Sequence, residues 1–274
     1  MKRTVKICLS ALLIVLTVIT VFVIVDRGFF TKIDLELFAH RGYKGEYPEN
    51  TMVAFEGAMD AGFDGIEFDV FETKSGDILT FHDSTTDRMC EISDSIYNVS
   101  LNNRENYPIV TGKNIEQYDS LLIPTFEETV AAMKNRNAER IFINLKGLDA
   151  ITDQGIAQID EILRKYDMVD KSLIFCGRIS LLKKFEEKGL HIGRLYVGKG
   201  DPGSTKAMKS LEECIEADVK TFIVFYPNKV NQEIVNKCRD NGIEIGVYKV
   251  KKKKEAVRLN KLGVDFIFSD YLLF

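Results

Sequence analysis

Short runs of β-branched and aromatic residues recur from residue 36 to the end of the chain, and a longer amphipathic stretch separates most of them. This alternation is typical of βα units. The predicted strands are Glu36–His40, Gly65–Phe71, Ile141–Lys146, Ser172–Cys176, Ile192–Val197, Thr221–Phe225, Ile243–Val250 and Asp265–Ser269. Eight such strands over about 240 residues predict an α/β fold, a TIM-like (β/α)8 barrel. A doubly wound open sheet is the alternative, but no G-x-G-x-x-G follows the first strand.

A further apolar run, Ile78–His82, follows the second strand after only six residues. A parallel crossover needs a dozen residues or more, so we expect this run to fold back as a hairpin. The next segment, Ser84–Ile123, is polar and weakly periodic. Such a segment predicts a long insertion at the barrel mouth, after strand 2 and its hairpin.

The beginning of the chain has a different composition. From Ile7 to Val25, only Ser10, Thr17 and Thr20 interrupt an apolar run of 19 residues, and three basic residues precede it. The run is long enough to span a bilayer and longer than the apolar region of most secretory signals. A buried core helix is the other interpretation. We expect residues 1–34 to form a basic cytoplasmic tail, a transmembrane anchor and a linker, with the domain of residues 35–274 outside the cell membrane.

The composition, with 45% hydrophobic and 28% charged residues, is that of a folded protein and excludes a disordered scaffold. The net charge of −4 comes without a basic stripe in the predicted barrel, which argues against nucleic-acid binding. Four cysteines follow the apolar run, at positions 90, 176, 214 and 238, with no C-x-x-C pair. We therefore expect buried or free thiols and no zinc site.

Polar residues are concentrated at the ends of the predicted strands, where barrel enzymes place their catalytic groups. They are His40, Arg41, Glu67, Asp69, His82, Asp83, Asn144, Lys146 and Asp270. Glu67 and Asp69 are two residues apart, so both side chains point to the same side of the sheet. Two carboxylates inside a barrel are costly unless a cation joins them. Their oxygens suit Mg²⁺ or Ca²⁺.

The remaining members of this set have the chemistry of a phosphate site. His40 and His82 titrate near neutrality and can serve as acid and base in turn. Arg41 offers a planar fork for phosphate oxygens, and Lys146 offers a point charge. Together the residues predict a site for a phosphate diester.

The same residues lie in motifs that resemble the glycerophosphodiester phosphodiesterase family. The motifs are HRG at His40–Gly42, PENT at Pro48–Thr51, E-x-D at Glu67 and Asp69, HD at His82–Asp83, IPTFEE at Ile123–Glu128 and VDFIFSD at Val264–Asp270. The resemblance covers nearly everything after residue 35. With the apolar run, it suggests a membrane-anchored member of the family.

The resemblance implies a TIM-like barrel that hydrolyses glycerophosphodiesters, or lipids or polymers containing glycerol phosphate, to glycerol phosphate and an alcohol. It implies His40 and His82 as the acid–base pair and one divalent cation, Ca²⁺ or Mg²⁺. Arg41 and Lys146 would contact the phosphate, and Glu67 and Asp69 would be metal ligands. In the family a neighbouring glycerol hydroxyl attacks phosphorus, and water opens the resulting cyclic phosphate.

Two positions differ from the family pattern. Asn144 occupies the place of a third metal-binding glutamate and would supply a neutral amide oxygen. Tyr248 replaces a tryptophan in the substrate pocket. Two other functions therefore stay open: a sphingomyelinase D-like phospholipase, and a non-catalytic phosphodiester-binding barrel that has lost its metal.

Overall fold

The computed structural model describes residues 35–198 and 203–274. Leu35–Phe274 forms one compact unit. The predicted tail, anchor and linker at residues 1–34 lie outside the described residues. Within the described ranges, no helix is long and apolar enough to cross a membrane.

The described strands form one closed barrel with an added hairpin. They are β1 Glu36–His40, β2 Gly65–Glu72, β3 Ile78–Thr80, β4 Arg140–Leu145, β5 Ser172–Cys176, β6 Ile192–Tyr196, β7 Thr221–Val224, β8 Glu244–Val247 and β9 Phe266–Ser269. Strands β1, β2 and β4 to β9 are parallel, and the pairing of β1 with β2 closes the ring. The predicted TIM-like barrel is confirmed.

Helices connect the strands of the ring. They are α1 Met52–Ala61, α2 Phe126–Asn135, α3 Asp153–Lys165, α4 Ile179–Glu186, α5 Thr205–Glu216, α6 Gln232–Asp240 and α7 Lys253–Leu262. Polar caps fix several starts: Thr51 accepts a hydrogen bond from the Ala54 amide, and Thr125 forms a capping box with Glu128. Because the strands of the ring are parallel, the loops that follow them lie at one end of the barrel.

Strand β8 is shorter than the strand predicted for this part of the chain. The predicted strand continued to Val250, whereas β8 ends at Val247 and Tyr248 follows it. The reason is local: Lys249 has a φ of 54°, in the left-handed region, so the extended backbone cannot continue. The Tyr248 amide still donates to the Val224 carbonyl, which keeps its side chain in the barrel.

The predicted hairpin and insertion are both present. β3 pairs antiparallel with β2, with Val70 opposite Thr80. The insertion packs onto this hairpin around its own apolar core of Phe71, Leu79, Phe81, Met89, Cys90, Ile96, Val99, Tyr107, Ile109 and Ile123. It is therefore a packed substructure attached to the barrel mouth.

Residues that alternate along the strands fill the barrel interior. A mainly aromatic cluster occupies it, formed by Phe38, Phe142, Leu173, Phe175, Ile223, Tyr248, Phe266 and Phe268. Two residues beyond Phe38, Phe142 and Phe268 lie His40, Asn144 and Asp270. Since side chains two apart share one face, the aromatic layer forms a floor beneath a polar layer at the carboxyl ends of the strands.

The four cysteines of the described chain are free and buried. Burial raises the pKa of each thiol, to about 11 for Cys176 and about 12 for Cys214. The expectation of buried, unpaired thiols is confirmed.

Candidate active site

The turn after β1 is tied to β2 by its backbone. The Arg41 amide donates to Oε2 of Glu67 over 3.0 Å, and the Gly42 amide donates to the Glu67 carbonyl. Arg41 and Gly42 have φ values of 59° and 71°. A Cβ at Gly42 would lie 2.7 Å from the backbone of Ala54, so this position requires glycine. The turn thus places the Arg41 side chain over the carboxylates of β2.

His40 is buried and held by an acid from the last strand. Its Nδ1 lies 2.7 Å from Oδ1 of Asp270, and Lys44 Nζ lies 3.3 Å from the same oxygen. Burial lowers the pKa of His40 to about 4, although Asp270 opposes this shift. The ring is therefore neutral at pH 7. Its Nδ1–H donates to Asp270, which leaves the Nε2 lone pair available to take up a proton.

Glu67 and Asp69 both lie inside the barrel and are almost completely buried. Glu67 is beside His40 in the register of β1 and β2. Burial and the nearby charge of Asp69 raise the pKa of Glu67 well above its usual range. Its Oε2 accepts from Arg41, whereas its Oε1 accepts no hydrogen bond within the described part of the chain.

Asp69 is surrounded by donors. Asn50 Nδ2 donates to its Oδ2 over 3.0 Å, and Asn144 Nδ2 donates to its Oδ1 over 2.8 Å. Lys146 Nζ lies 3.4 Å from Oδ1, and Arg41 Nε lies 3.2 Å from Oδ2. Burial would raise the pKa of Asp69, but Lys146 and Arg41 outweigh burial and lower it. Asp69 is therefore the ionised member of the carboxylate pair.

His82 lies at the end of the hairpin, on the rim of the site, with 28% of its side chain exposed. Its Nδ1 is 2.6 Å from Oδ1 of Asp83. Arg88 Nε donates to Oδ2 of the same carboxylate, and a second Arg88 nitrogen donates to Glu49. Desolvation lowers the pKa of His82, and Asp69 opposes this effect. Each histidine of the site thus has its own orienting carboxylate.

Tyr248 lies where the aromatic cluster of the barrel meets His40. Its ring is edge-on to His40 with centroids 5.3 Å apart, and it packs against Phe268 at 4.2 Å. The side chain is only 1% exposed, yet its hydroxyl makes no hydrogen bond of normal geometry with any residue that the structure describes. Burial and the charge of Glu67 raise the pKa of Tyr248 well above its usual value. The hydroxyl is therefore a neutral group beside the carboxylates.

Three buried side-chain atoms in the described part of the chain lack a hydrogen-bond partner: Arg41 Nε, Glu67 Oε1 and the Tyr248 hydroxyl. All three belong to this site. Arg41 Nε still faces Asp69 Oδ2 at 3.2 Å, and a side-chain contact with Glu67 contributes to the raised pKa of Tyr248. Buried polar groups are normally hydrogen-bonded, so the unused donor and acceptor capacity of these atoms suits a polar ligand. No group of three His, Cys, Asp or Glu side chains placed for a metal occurs within the described ranges. The oxygen donors are two carboxylates and the Asn144 amide, a set that fits one hard divalent cation.

The structure brings together all the residues expected at the site: His40, Arg41, Glu67, Asp69, His82, Asn144, Lys146 and Tyr248. The sequence analysis assigned no catalytic or binding role to Glu49, Asn50, Arg88 or Asp270. Thr51 of the P-E-N-T motif caps the first helix, whereas Asn50 contacts Asp69. The P-E-N-T motif was the available signal for Glu49 and Asn50.

Comparisons with known proteins agree with this geometry. The sequence profile of the glycerophosphoryl diester phosphodiesterase family matches residues 40–273. A glycerophosphodiester phosphodiesterase of Bacillus altitudinis is 28% identical over 245 residues, which cover 86% of this chain and 94% of that protein. One from Caldanaerobacter subterraneus is 27% identical over 239 residues, covering 85% of this chain and 93% of that protein.

Solved structures share the barrel. An Oleispira antarctica phosphodiesterase in complex with the product sn-glycerol-3-phosphate superposes with a TM-score of 0.75 at 21% identity, covering 86% of this chain and 93% of that one. A protein from Silicibacter pomeroyi gives 0.74 at 20% identity, covering 86% of this chain and 90% of that one. These likenesses show the fold. Since the family profile spans most of the barrel, the chain belongs to the glycerophosphoryl diester phosphodiesterase family.

Proposed function

We propose that this phosphodiesterase cleaves glycerophosphodiesters with the help of one divalent cation, releasing glycerol phosphate and an alcohol. The observation that carries the proposal is that a buried carboxylate pair, the positively charged side chains of Arg41 and Lys146, and two histidines lie together at the barrel mouth. Each histidine has a carboxylate at Nδ1, an arrangement suited to proton transfer at Nε2.

Glu67, Asp69 and the amide oxygen of Asn144 would hold the cation. A half-turn of the Asn144 amide would present oxygen in place of the nitrogen that now donates to Asp69. When bound, a divalent cation would draw charge from the phosphoryl oxygens and so lower the barrier to attack at phosphorus. Glu67 Oε1, which accepts no hydrogen bond from the described residues, supports this assignment.

His40 is the general base of the first step. It is neutral at pH 7, and Asp270 fixes the tautomer that leaves Nε2 free. It accepts the proton of the attacking hydroxyl, either the neighbouring glycerol hydroxyl or water. The imidazolium that forms is stabilised by the Asp270 carboxylate at Nδ1.

His82 is the general acid that protonates the leaving oxygen. Its pKa is lowered by desolvation and by the positive charges of Arg41 and Lys146. A bound phosphodiester brings negative charge between these cations and His82, which raises the pKa of the imidazole. Protonated His82 is therefore favoured when substrate is present.

Arg41 and Lys146 bind the phosphate oxygens. Both contact Asp69, so the Asp69 carboxylate holds the two positive charges at the barrel mouth. Positive groups fixed before the reaction stabilise the extra charge that develops on phosphorus. Catalysis also requires that the guanidinium of Arg41 is correctly oriented. Its hydrogen bond to Glu49 provides this orientation.

The alcohol part of the substrate would extend into a cavity of about 250 Å³ beside the site. Its lining includes Lys44, Tyr47, Arg88, Lys113 and Tyr271. These polar and aromatic side chains suit headgroups of deacylated phospholipids, lysophospholipids, or glycerol-phosphate polymers. Tyr248 would limit the pocket on the glycerol side.

We also infer from the apolar run Ile7–Val25 that the chain is a single-pass membrane protein whose barrel lies outside the cell. Such a tether would favour lipid or polymer substrates, because it concentrates the enzyme at a surface. The test is fractionation of the full chain and of a chain without residues 1–25. Recovery of both in the soluble fraction would exclude the anchor.

The decisive assay of the function is phosphorus NMR on a panel of glycerol diesters and choline lipids with added Ca²⁺, Mg²⁺ or Mn²⁺. The variants His40→Ala and His82→Ala should each lower turnover by about 10²–10⁴. His191→Ala is the matched control, because His191 has 57% of its side chain exposed and its ion-pair partner among the described residues is Asp170, at 3.9 Å. Cation binding without turnover of any diester would instead favour the non-catalytic binding barrel.

A further inference from the structure

Arg88 lies near the start of the insertion and joins two otherwise separate parts of the mouth. Its Nε donates to Oδ2 of Asp83 over 2.6 Å, and its Nη2 donates to Oε1 of Glu49, also over 2.6 Å. We propose that Arg88 is a positioning residue that holds both the His82–Asp83 pair and Arg41 in their working orientations. The proposal rests on the function proposed above for His82 and Arg41.

The two contacts of Arg88, with Asp83 and with Glu49, form a clamp. The contact with Asp83 acts on His82. Asp83 uses Oδ1 for the His82 ring and Oδ2 for Arg88, so both carboxylate oxygens are fixed. The side chains of His82 and Asp83 are 28% and 26% exposed, so packing does not enclose them completely and the contact with Arg88 adds a direct restraint. Without Arg88 the carboxylate is free to rotate, and the ring loses its fixed direction.

The second half acts on Arg41. Oε1 of Glu49 accepts from Arg41 over 2.8 Å as well as from Arg88. Two guanidinium groups therefore share one carboxylate, and the pKa of Glu49 is lowered by both arginines in spite of burial. If Arg88 were absent, the whole negative charge of Glu49 would act on Arg41 instead of being shared between two arginines. Less positive charge would then remain for a phosphate.

The insertion holds the backbone that carries Arg88. The amides of Met89 and Cys90 donate to the Thr86 carbonyl, and the side chains of Met89 and Cys90 are buried in the core of the insertion. Arg88 itself has 46% of its side chain exposed, so solvent screens its ion pairs and they should add little to the free energy of unfolding. A purely structural role would therefore be small.

The test compares Arg88→Gln and Arg88→Lys with Arg104→Gln in the full-length chain. Arg104 is the matched control: it belongs to the same insertion and makes a two-point ion pair, but with Glu128, away from the mouth. Hydrolysis kinetics and thermal unfolding are measured for each. We expect Arg88→Gln to lower kcat/KM by about 10–100-fold, with Tm little changed. Arg88→Lys recovers part of the loss, since one ammonium reaches one of the two carboxylates.

A second readout does not depend on activity. The chain has three histidines, so the His82 ring can be followed by NMR as pH is changed. The ionisable groups that act on His82 are Asp69, Arg41, Lys146 and Asp83. Replacing Arg88 leaves the charge of Asp83 uncompensated, so the imidazole should titrate at higher pH in Arg88→Gln and unchanged in Arg104→Gln.

The inference is overturned if His82 titrates identically in Arg88→Gln and the native chain, or if both glutamine variants change kcat/KM equally. Failure of the proposed function looks different. In that case the native chain cleaves no diester, while a shifted His82 titration in Arg88→Gln would still support the clamp.

Discussion

Asn144 lies directly across from Asp69 in the register of β4 and β2, and its Nδ2 donates to Asp69 Oδ1 over 2.8 Å. The amide thus supports the charge of the acid without adding a charge of its own. A carboxylate at position 144 would instead stand beside two buried acids, Glu67 and Asp69. Such a group of three is tolerable only around a cation.

The variant Asn144→Glu should therefore bind Ca²⁺ or Mg²⁺ more tightly than the native chain, by about tenfold or more, since each added ligand charge strengthens a hard-cation site. Its cation-free form should unfold at a lower temperature, because the third acid repels the other two. Calorimetry and thermal unfolding in chelator measure the two effects. Unchanged affinity would mean that residue 144 does not face the cation.

A second prediction concerns the balance of charge. Glu67 and Asp69 contribute two potential negative charges, and Arg41 and Lys146 contribute two positive ones. A divalent cation alone would leave this buried site strongly positive, and a phosphate alone would leave it negative. We therefore expect cation and sn-glycerol-3-phosphate to bind cooperatively, each tightening the other by about 5–150-fold.

Calorimetric titration of the cation with and without sn-glycerol-3-phosphate measures this coupling. Lys146→Met should reduce the coupling. Without the positive charge of Lys146, the site repels the cation less when no phosphate is bound, so phosphate binding improves cation affinity less. Equal cation affinity in the two titrations of the native chain would contradict the prediction.

The barrel and most of the site were predictable because strand alternation fixes which residues share a face. His40, Glu67, Asp69 and Asn144 belong to strands, so their direction follows from position along the chain. The partners Glu49, Asn50 and Arg88 lie in loops, where backbone angles decide direction. Asn50 has a φ of 53°, and no periodic pattern indicates that this turn aims its amide at Asp69.

His40 gives a prediction about stability and pH. Its pKa is about 4 in the folded chain, against 6.5 for an unperturbed histidine, and burial is the main cause. The unfolded chain therefore takes up a proton first as pH falls. The contribution of neutral His40 to the free energy of unfolding is fully present above about pH 6.5 and is lost between about pH 6.5 and 4. The loss is on the order of 3 kcal/mol.

His40→Asn should remove this part of the pH dependence. Urea unfolding of the native chain and the variant at pH 4.5, 5.5 and 7, with chelator present, provides the comparison, and titrating groups remote from His40 cancel in the difference. If the two chains lose stability in parallel as the pH falls, His40 is already exposed or already protonated in the native state.

The last prediction concerns the unpaired hydroxyl of Tyr248. A buried hydroxyl without a partner destabilises the free protein, typically by about 1–3 kcal/mol, whereas phenylalanine would fill the same space without that cost. If the hydroxyl acquires its partner only from substrate or cation, Tyr248→Phe should raise Tm and at the same time lower kcat/KM. Thermal unfolding and diester hydrolysis of the same preparation measure both changes. A variant with higher Tm and unchanged kinetics would show that the hydroxyl contacts neither ligand, and a lower Tm would mean that it already has a partner in the free protein.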